Sequence, residues 1–156
     1  MIDEASNIDK DRLFIPGLAG LYGRFAPFSY VFMRIVMAAM IVPHGIDKLF
    51  YGGAQRIAAG NVLKVGVEPA IVWAWAVGGL EFFGAILLAL GLFTRPVAFA
   101  LAIEMAAISF RVHFAPGFFW TAHGYEFPLL LMLVCIAYVL SGGGRYSLDR
   151  LIGKEF

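Results

Sequence analysis

The sequence predicts an all-α integral membrane protein, a bundle of four transmembrane helices. Three observations carry that prediction. The 156 residues are 61% hydrophobic and 15% charged, with a mean hydropathy of +0.81, against about 45–50% and about 25% in soluble domains. The charges crowd the ends: seven lie in residues 1–24 and five in residues 145–156, leaving eleven for the 120 between. Four apolar stretches approach or reach the roughly 20 residues that a helix needs to cross a bilayer. A soluble 17.1 kDa chain could not cover its surface with so few charges.

The same numbers exclude other classes. Disorder and a small disulfide scaffold do not fit this composition. A net charge of +1 leaves no basic field for nucleic acid. The single cysteine, Cys135, cannot form an intrachain disulfide, a CxxC couple or a structural zinc site. Its place in an apolar run reads as packing.

Each element can be justified in order. Residues 1–27 read as a cytoplasmic tail and interfacial segment. Asp3, Glu4, Asp9 and Asp11 stand where a signal peptide would need basic and apolar residues, so the first span reads as an uncleaved anchor. The predicted spans are 28–50, 70–91, 96–113 and 126–141, together the transmembrane domain 28–141. In lipid they must be helices, because open backbone has no water to bond. Pro96 and Pro128 fall in first turns, where a missing N–H is tolerated. Gly142-Gly143-Gly144 ends the last helix and opens a cytoplasmic tail, 142–156. Residues 51–69 read as a long loop, Leu92–Arg95 as a tight hairpin link, and 114–125 as a loop rich in aromatics. Seven Lys/Arg flank one side of this arrangement and four the other, which predicts both termini in the cytoplasm.

The informative residues are charges within the spans. A charge at mid-bilayer costs roughly 2.5–3.5 kcal/mol on insertion scales, so such groups face the bundle interior and find partners. At 1.5 Å per residue from each cytoplasmic start, Arg34 lies about 9 Å deep, Glu104 about 12 Å and Glu81 about 15 Å. His44, Arg111 and His113 lie at about 22–26 Å, with Asp47, Lys48 and Glu126 near the same level. Two polar layers result. The inner one, Arg34 with Glu81 and Glu104, reads as ion pairs that hold the bundle. The outer one, His44, Asp47, Lys48, Arg111 and Glu126, offers an imidazole that titrates near neutrality together with acids and bases. At 100° per residue His113 falls opposite Glu104, outside this layer.

Bland readings stand beside these. One arginine facing two carboxylates can simply fasten helices. Glu126 is a carboxylate at a helix start, favoured by the dipole. Phe118, Phe119 and Trp120 fit an interfacial belt as well as the wall of a ligand slot. His44, His113 and His123 lack a tight metal-ligand spacing, so no metal site is predicted.

The chain resembles the DoxX family. The resemblance rests on Arg34, then Pro43-His44-Gly45 and Lys48-Leu49-Phe50, on Glu81 with Gly84, and on Gly91-Leu92-Phe93-Thr94-Arg95. It continues in Glu126 and in Gly143-Gly144-Arg145-Tyr146-Ser147-Leu148-Asp149, and covers residues 20–150. It implies a small four-helix protein of the bacterial inner membrane with both termini cytoplasmic, from a family linked to terminal quinol oxidase and to thiosulfate:quinone oxidoreductase. It marks Arg34, His44, Lys48, Glu81, Arg95 and Glu126 as pattern positions without settled catalytic roles.

Three functions compete. A quinone-linked redox subunit would use His44, Lys48 or Arg111 as donors and Asp47 or Glu126 as proton relays, with Phe118, Phe119 and Trp120 walling the slot. The chain holds no cofactor motif of its own, so a redox protein partner is implied. A non-catalytic accessory subunit of a larger membrane complex fits that same lack. A small proton-coupled carrier fits Glu81 and Glu104, but no inverted repeat is visible. The sequence also allows a homo-oligomer, which would count against the accessory reading.

Overall fold

A computed structural model describes residues 9–155. It is all-α, with no strand among the described residues. Part of the N-terminal tail, residues 1–8, lies outside the described residues. Helix α1 spans Ala19–Phe25 and α2 spans Ser29–Phe50. A turn at Ala26–Phe28 joins them, so helix runs from Pro16 to Phe50. The expected interfacial segment is therefore continuous with the first long helix, because Ala26-Pro27-Phe28 places its proline where a new helical turn starts.

Residues 53–65 form α3, which corrects the expected loop over 51–69. Ala54, Ala58 and Val62 recur every four residues and are buried beside Ala74, the spacing of one helix face. Gly66, at φ +85°, ends the helix. Helix α4 spans Ala70–Leu90 and α5 spans 94–112. The link between them is shorter than expected, because Gly91 turns left-handed at φ +67° and Asp149 caps Thr94, so α5 starts two residues early. Helix α6 spans Glu126–Ser141, as expected, and α7 spans Leu148–Ile152.

Two helices, Pro16–Phe50 and Ala70–Leu90, are long and apolar enough to cross a membrane; Glu126–Ser141 is apolar but shorter. The direction of their faces matters more than their length. On α2 the buried residues are Arg34, Met37, Ala38, Ile41 and Gly45. On α4 they include Ala74, Gly78, Glu81, Ala85 and Leu88. Phe32, Ile35, Met40, Val72 and Phe83 point outward. Charge inside and apolar bulk outside is the arrangement lipid favours.

Helix α2 packs on α4, and α5 packs on α6. Met37, Ile41, Leu88, Leu101, Met105, Leu131 and Cys135 share one core. A Cβ on Gly45 would come within 2.8 Å of Phe82 Cα, so this glycine sets the approach of α2 and α4. Three π-helical turns interrupt the helices, at Ala58–Val62, Leu80–Gly84 and Ile108–Val112. Such turns are often found at functional sites.

Residues 142–155 fold back over one end of the bundle. Asp149 accepts hydrogen bonds from the backbone N–H of Phe93 (2.7 Å) and Thr94 (2.9 Å). The Tyr30 hydroxyl donates to the Gly142 carbonyl at 2.6 Å, and Arg34 donates to the Tyr146 carbonyl. Phe28 stacks on Tyr146. A side chain on Gly91 would collide with the Arg34 guanidinium, so glycine serves both the left-handed turn and the space here.

Candidate functional site

At mid-bundle, toward the other end, a cavity of about 640 Å³ opens between α2, α3, α4, α5 and α6. Apolar side chains make most of its wall, with Trp73, Trp120 and Phe127 among them. Its polar groups are His44, Asp47, Lys48, Asn61, Glu81, Glu104 and His113. All three π-turns contribute: Asn61 and Val62, Leu80 and Glu81, Ile108 and Val112. A π-turn shifts the helical phase by inserting one extra residue, and so re-aims the side chain it carries. Glu81 itself stays in step with the buried face of α4, with Ala74, Gly78, Ala85 and Leu88.

The expected layers are regrouped. Lys48, placed in the outer layer, forms an ion pair with Glu81, placed in the inner one. Lysine's long stem carries its ammonium well away from the depth of its Cα, and depths taken from Cα rise alone miss this. Glu104 lies beside Glu81 and is 7% exposed. No hydrogen-bond partner reaches either of its carboxyl oxygens. Arg34 does not join this cluster. It belongs to the fold-back at the opposite end, beside Tyr146 and 5.9 Å from the Tyr30 ring, which corrects the expected ion pairs with Glu81 and Glu104.

The outer candidates divide as well. Asp47 lines the cavity but is held by Arg56, whose Nη2 lies 2.6 Å from both carboxylate oxygens. Its partner comes from α3, read in the sequence as loop. Arg111 stands beside Gly66 at the end of α3 and does not line the cavity. Glu126 accepts from the Trp120 backbone N–H at 3.0 Å and steadies the 114–125 loop, in line with its bland reading at a helix start. Trp120 lines the cavity; Phe118 packs on Phe119 and on Tyr125 instead. His113 joins the site although its phase pointed elsewhere, because the helix ends at Val112. Its Nδ1–H donates to the His123 carbonyl at 2.8 Å, which leaves Nε2 as the second ring nitrogen.

Sequence reasoning missed Asn61 and Trp73. The recurring Ala54, Ala58 and Val62 were the signal that would have made α3 a wall and brought Asn61 to the site. Trp73 and Ile103 line the cavity and are about half exposed, 49% and 56%. They mark openings toward the bundle's outer surface. Before its π-turn α4 packs on α2 and α3, while α5 meets α4 at that turn and at the hairpin.

A lipid-facing helical shell around a buried Lys48–Glu81–Glu104 cluster defines an α-helical membrane protein with an internal polar site. The chain belongs to the DoxX family: the family's model matches residues 29–114. An uncharacterized protein of Haemophilus influenzae is 39% identical over 135 residues, covering 85% of this chain and 96% of that one. An uncharacterized membrane protein of Mycobacterium tuberculosis is 28% identical over 139 residues, covering 83% and 84%. A second Haemophilus influenzae protein is 31% identical over 90 residues, 58% of this chain and 59% of its own length. No solved structure matches.

Proposed function

We propose that the chain is the quinone-binding subunit of a redox complex in the bacterial inner membrane. One observation carries this reading: the cavity is apolar-walled, includes the half-exposed Trp73 and Ile103 in its lining, and holds Lys48, Glu81 and Glu104. A quinone is a flat apolar ring with two carbonyl acceptors, dissolved in the bilayer. Lys48 and His44 carry N–H groups for a carbonyl, and Trp120 and Phe127 offer faces to the ring. With one buried cysteine and no cofactor motif, the chain would take or pass electrons through a partner protein.

The same proposal includes the topology. The four helices would each cross the membrane over 28–50, 70–91, 96–113 and 126–141, with both termini cytoplasmic and the tails 1–27 and 142–156 on that side. The cavity then lies nearer the outer face, and the fold-back over Arg34 closes the cytoplasmic end.

The test is extraction of lipids from protein purified in mild detergent, with quinol-dependent electron transfer measured alone and with co-purifying proteins. Stoichiometric quinone together with turnover in the complex is the expected result. Protein that carries no quinone and supports no quinol-dependent turnover in either form overturns the reading.

A further inference from the structure

We propose that Glu104 and Glu81 hold one exchangeable proton between them, and that Glu104 delivers it to the ligand in the cavity. Charge and geometry carry the inference. Two buried carboxyls, 3% and 7% exposed, face a single ammonium. Lys48 is taken up by Glu81. Asp47 is taken up by Arg56. His44 and His113 line the same cavity from α2 and from the end of α5, and buried Cys135 lies near Glu104 on α6. Glu104 is left without a donor to either oxygen.

An ionised carboxylate in apolar surroundings with no hydrogen bond is among the costliest groups a protein can bury. Two adjacent carboxyls served by one cation resolve this by sharing a proton, since like charges at close range do not both ionise. That proton also provides the hydrogen bond that Glu104 lacks.

The step rests on the quinone reading above and is reversible: quinol oxidation returns each proton to Glu104 and each electron to the partner, and quinone reduction runs the other way. A partner's one-electron centre, a haem or iron–sulfur cluster, supplies each electron. As the ligand carbonyl gains electron density, its oxygen takes the proton: an O–H bond forms on the ligand and the O–H bond of Glu104 breaks. The carboxylate left behind shares Lys48 with Glu81 until a new proton arrives. Two-electron reduction uses the cycle twice.

The experiment is infrared spectroscopy of the full chain in nanodiscs, without quinone, in H2O and in D2O. A carbonyl band of a protonated carboxylic acid, shifted in D2O, is expected. It is lost in Glu104→Gln, lost or moved in Glu81→Gln, which frees Lys48 for Glu104, and unchanged in Glu126→Gln. Absence of the band in the native chain, or a band indifferent to both Glu104→Gln and Glu81→Gln, overturns the proton site even if quinone binds. The rate of proton uptake on chemical reduction of a bound water-soluble quinone then falls at least tenfold in Glu104→Gln, with the quinone still bound; an undiminished rate overturns the delivery role. A native chain that shows the band but binds no quinone supports the shared proton and overturns the quinone reading instead. Should Glu104→Gln not fold, Glu81→Gln carries the spectroscopic arm alone.

Discussion

The bundle buries polar groups at two levels and treats them differently. At the fold-back, polar side chains bond to backbone far away in sequence: Arg34 to Tyr146, Tyr30 to Gly142, and Asp149 to Phe93 and Thr94. At the cavity, side chain meets side chain, Lys48 with Glu81 and Glu81 beside Glu104, with about 640 Å³ of space adjoining. Unsatisfied atoms alone do not tell the two apart, since Arg34 Nε and Nη1 also lack partners. What separates them is room. Arg34 is wrapped by Gly91, Tyr30 and Tyr146, so no ligand can reach it, whereas Glu104 faces a volume that one can enter. A buried charge therefore reads as structural where it ties chain segments and as functional where it borders space.

Substitutions can break this distinction. Gly91→Ala should have the largest effect. It forces a side chain into a left-handed turn at φ +67° and against the Arg34 guanidinium, a loss of about 4 kcal/mol of stability. The check is thermal unfolding in detergent, with quinone affinity unchanged in whatever folds. Lys48→Met comes next at about 3 kcal/mol, because it strands Glu81 in the core. Here the double variant Lys48→Met/Glu81→Gln sharpens the contrast. Removing both partners should recover most of the stability, while affinity for a quinone analogue stays about tenfold weaker, or about 1.4 kcal/mol. Were binding to recover along with stability, the pair would be structural too.

Asp149→Ala tests the fold-back. It removes both acceptors at the start of α5 and should cost about 2 kcal/mol, read as a lower unfolding midpoint. Amide exchange should quicken over residues 91–95 and 147–155. Ligand binding at the cavity should not change. A loss of binding equal to that of the Lys48 variants would show that the two levels act as one unit.

Much of this was legible in the sequence. Apolar length and the placing of Pro96 and Pro128 located the helices, and the scarcity of central charges picked out Arg34, Glu81 and Glu104 as buried. The pairing was not legible. A depth ladder built on Cα rise ignores the reach of Lys48, and nothing local announces that Tyr146 returns from over 100 residues away to meet Arg34. Glycines in 51–69 hid α3, although Ala54, Ala58 and Val62 carried its period. The π-turns were hidden as well, because one extra residue in a helical turn leaves no mark in composition.

The smallest expected effect probes α3 itself. Arg56 and Asp47 are well exposed, at 63% and 48% for their side chains, and such pairs are worth about 0.5 kcal/mol. Arg56→Ala should therefore barely move the unfolding midpoint. Yet Arg56 is also bonded to the Tyr51 carbonyl at 3.2 Å and ties the start of α3 to the end of α2, across one side of the cavity. Amides of 53–65 should exchange faster in Arg56→Ala while those of α2 and α6 stay as before. High salt should reproduce part of the effect in the native chain, because exposed pairs are screened. If the midpoint falls as far as in Asp149→Ala, α3 belongs to the load shared by the core; if only its own amides respond, α3 is a wall hung on the bundle and free to admit a ligand.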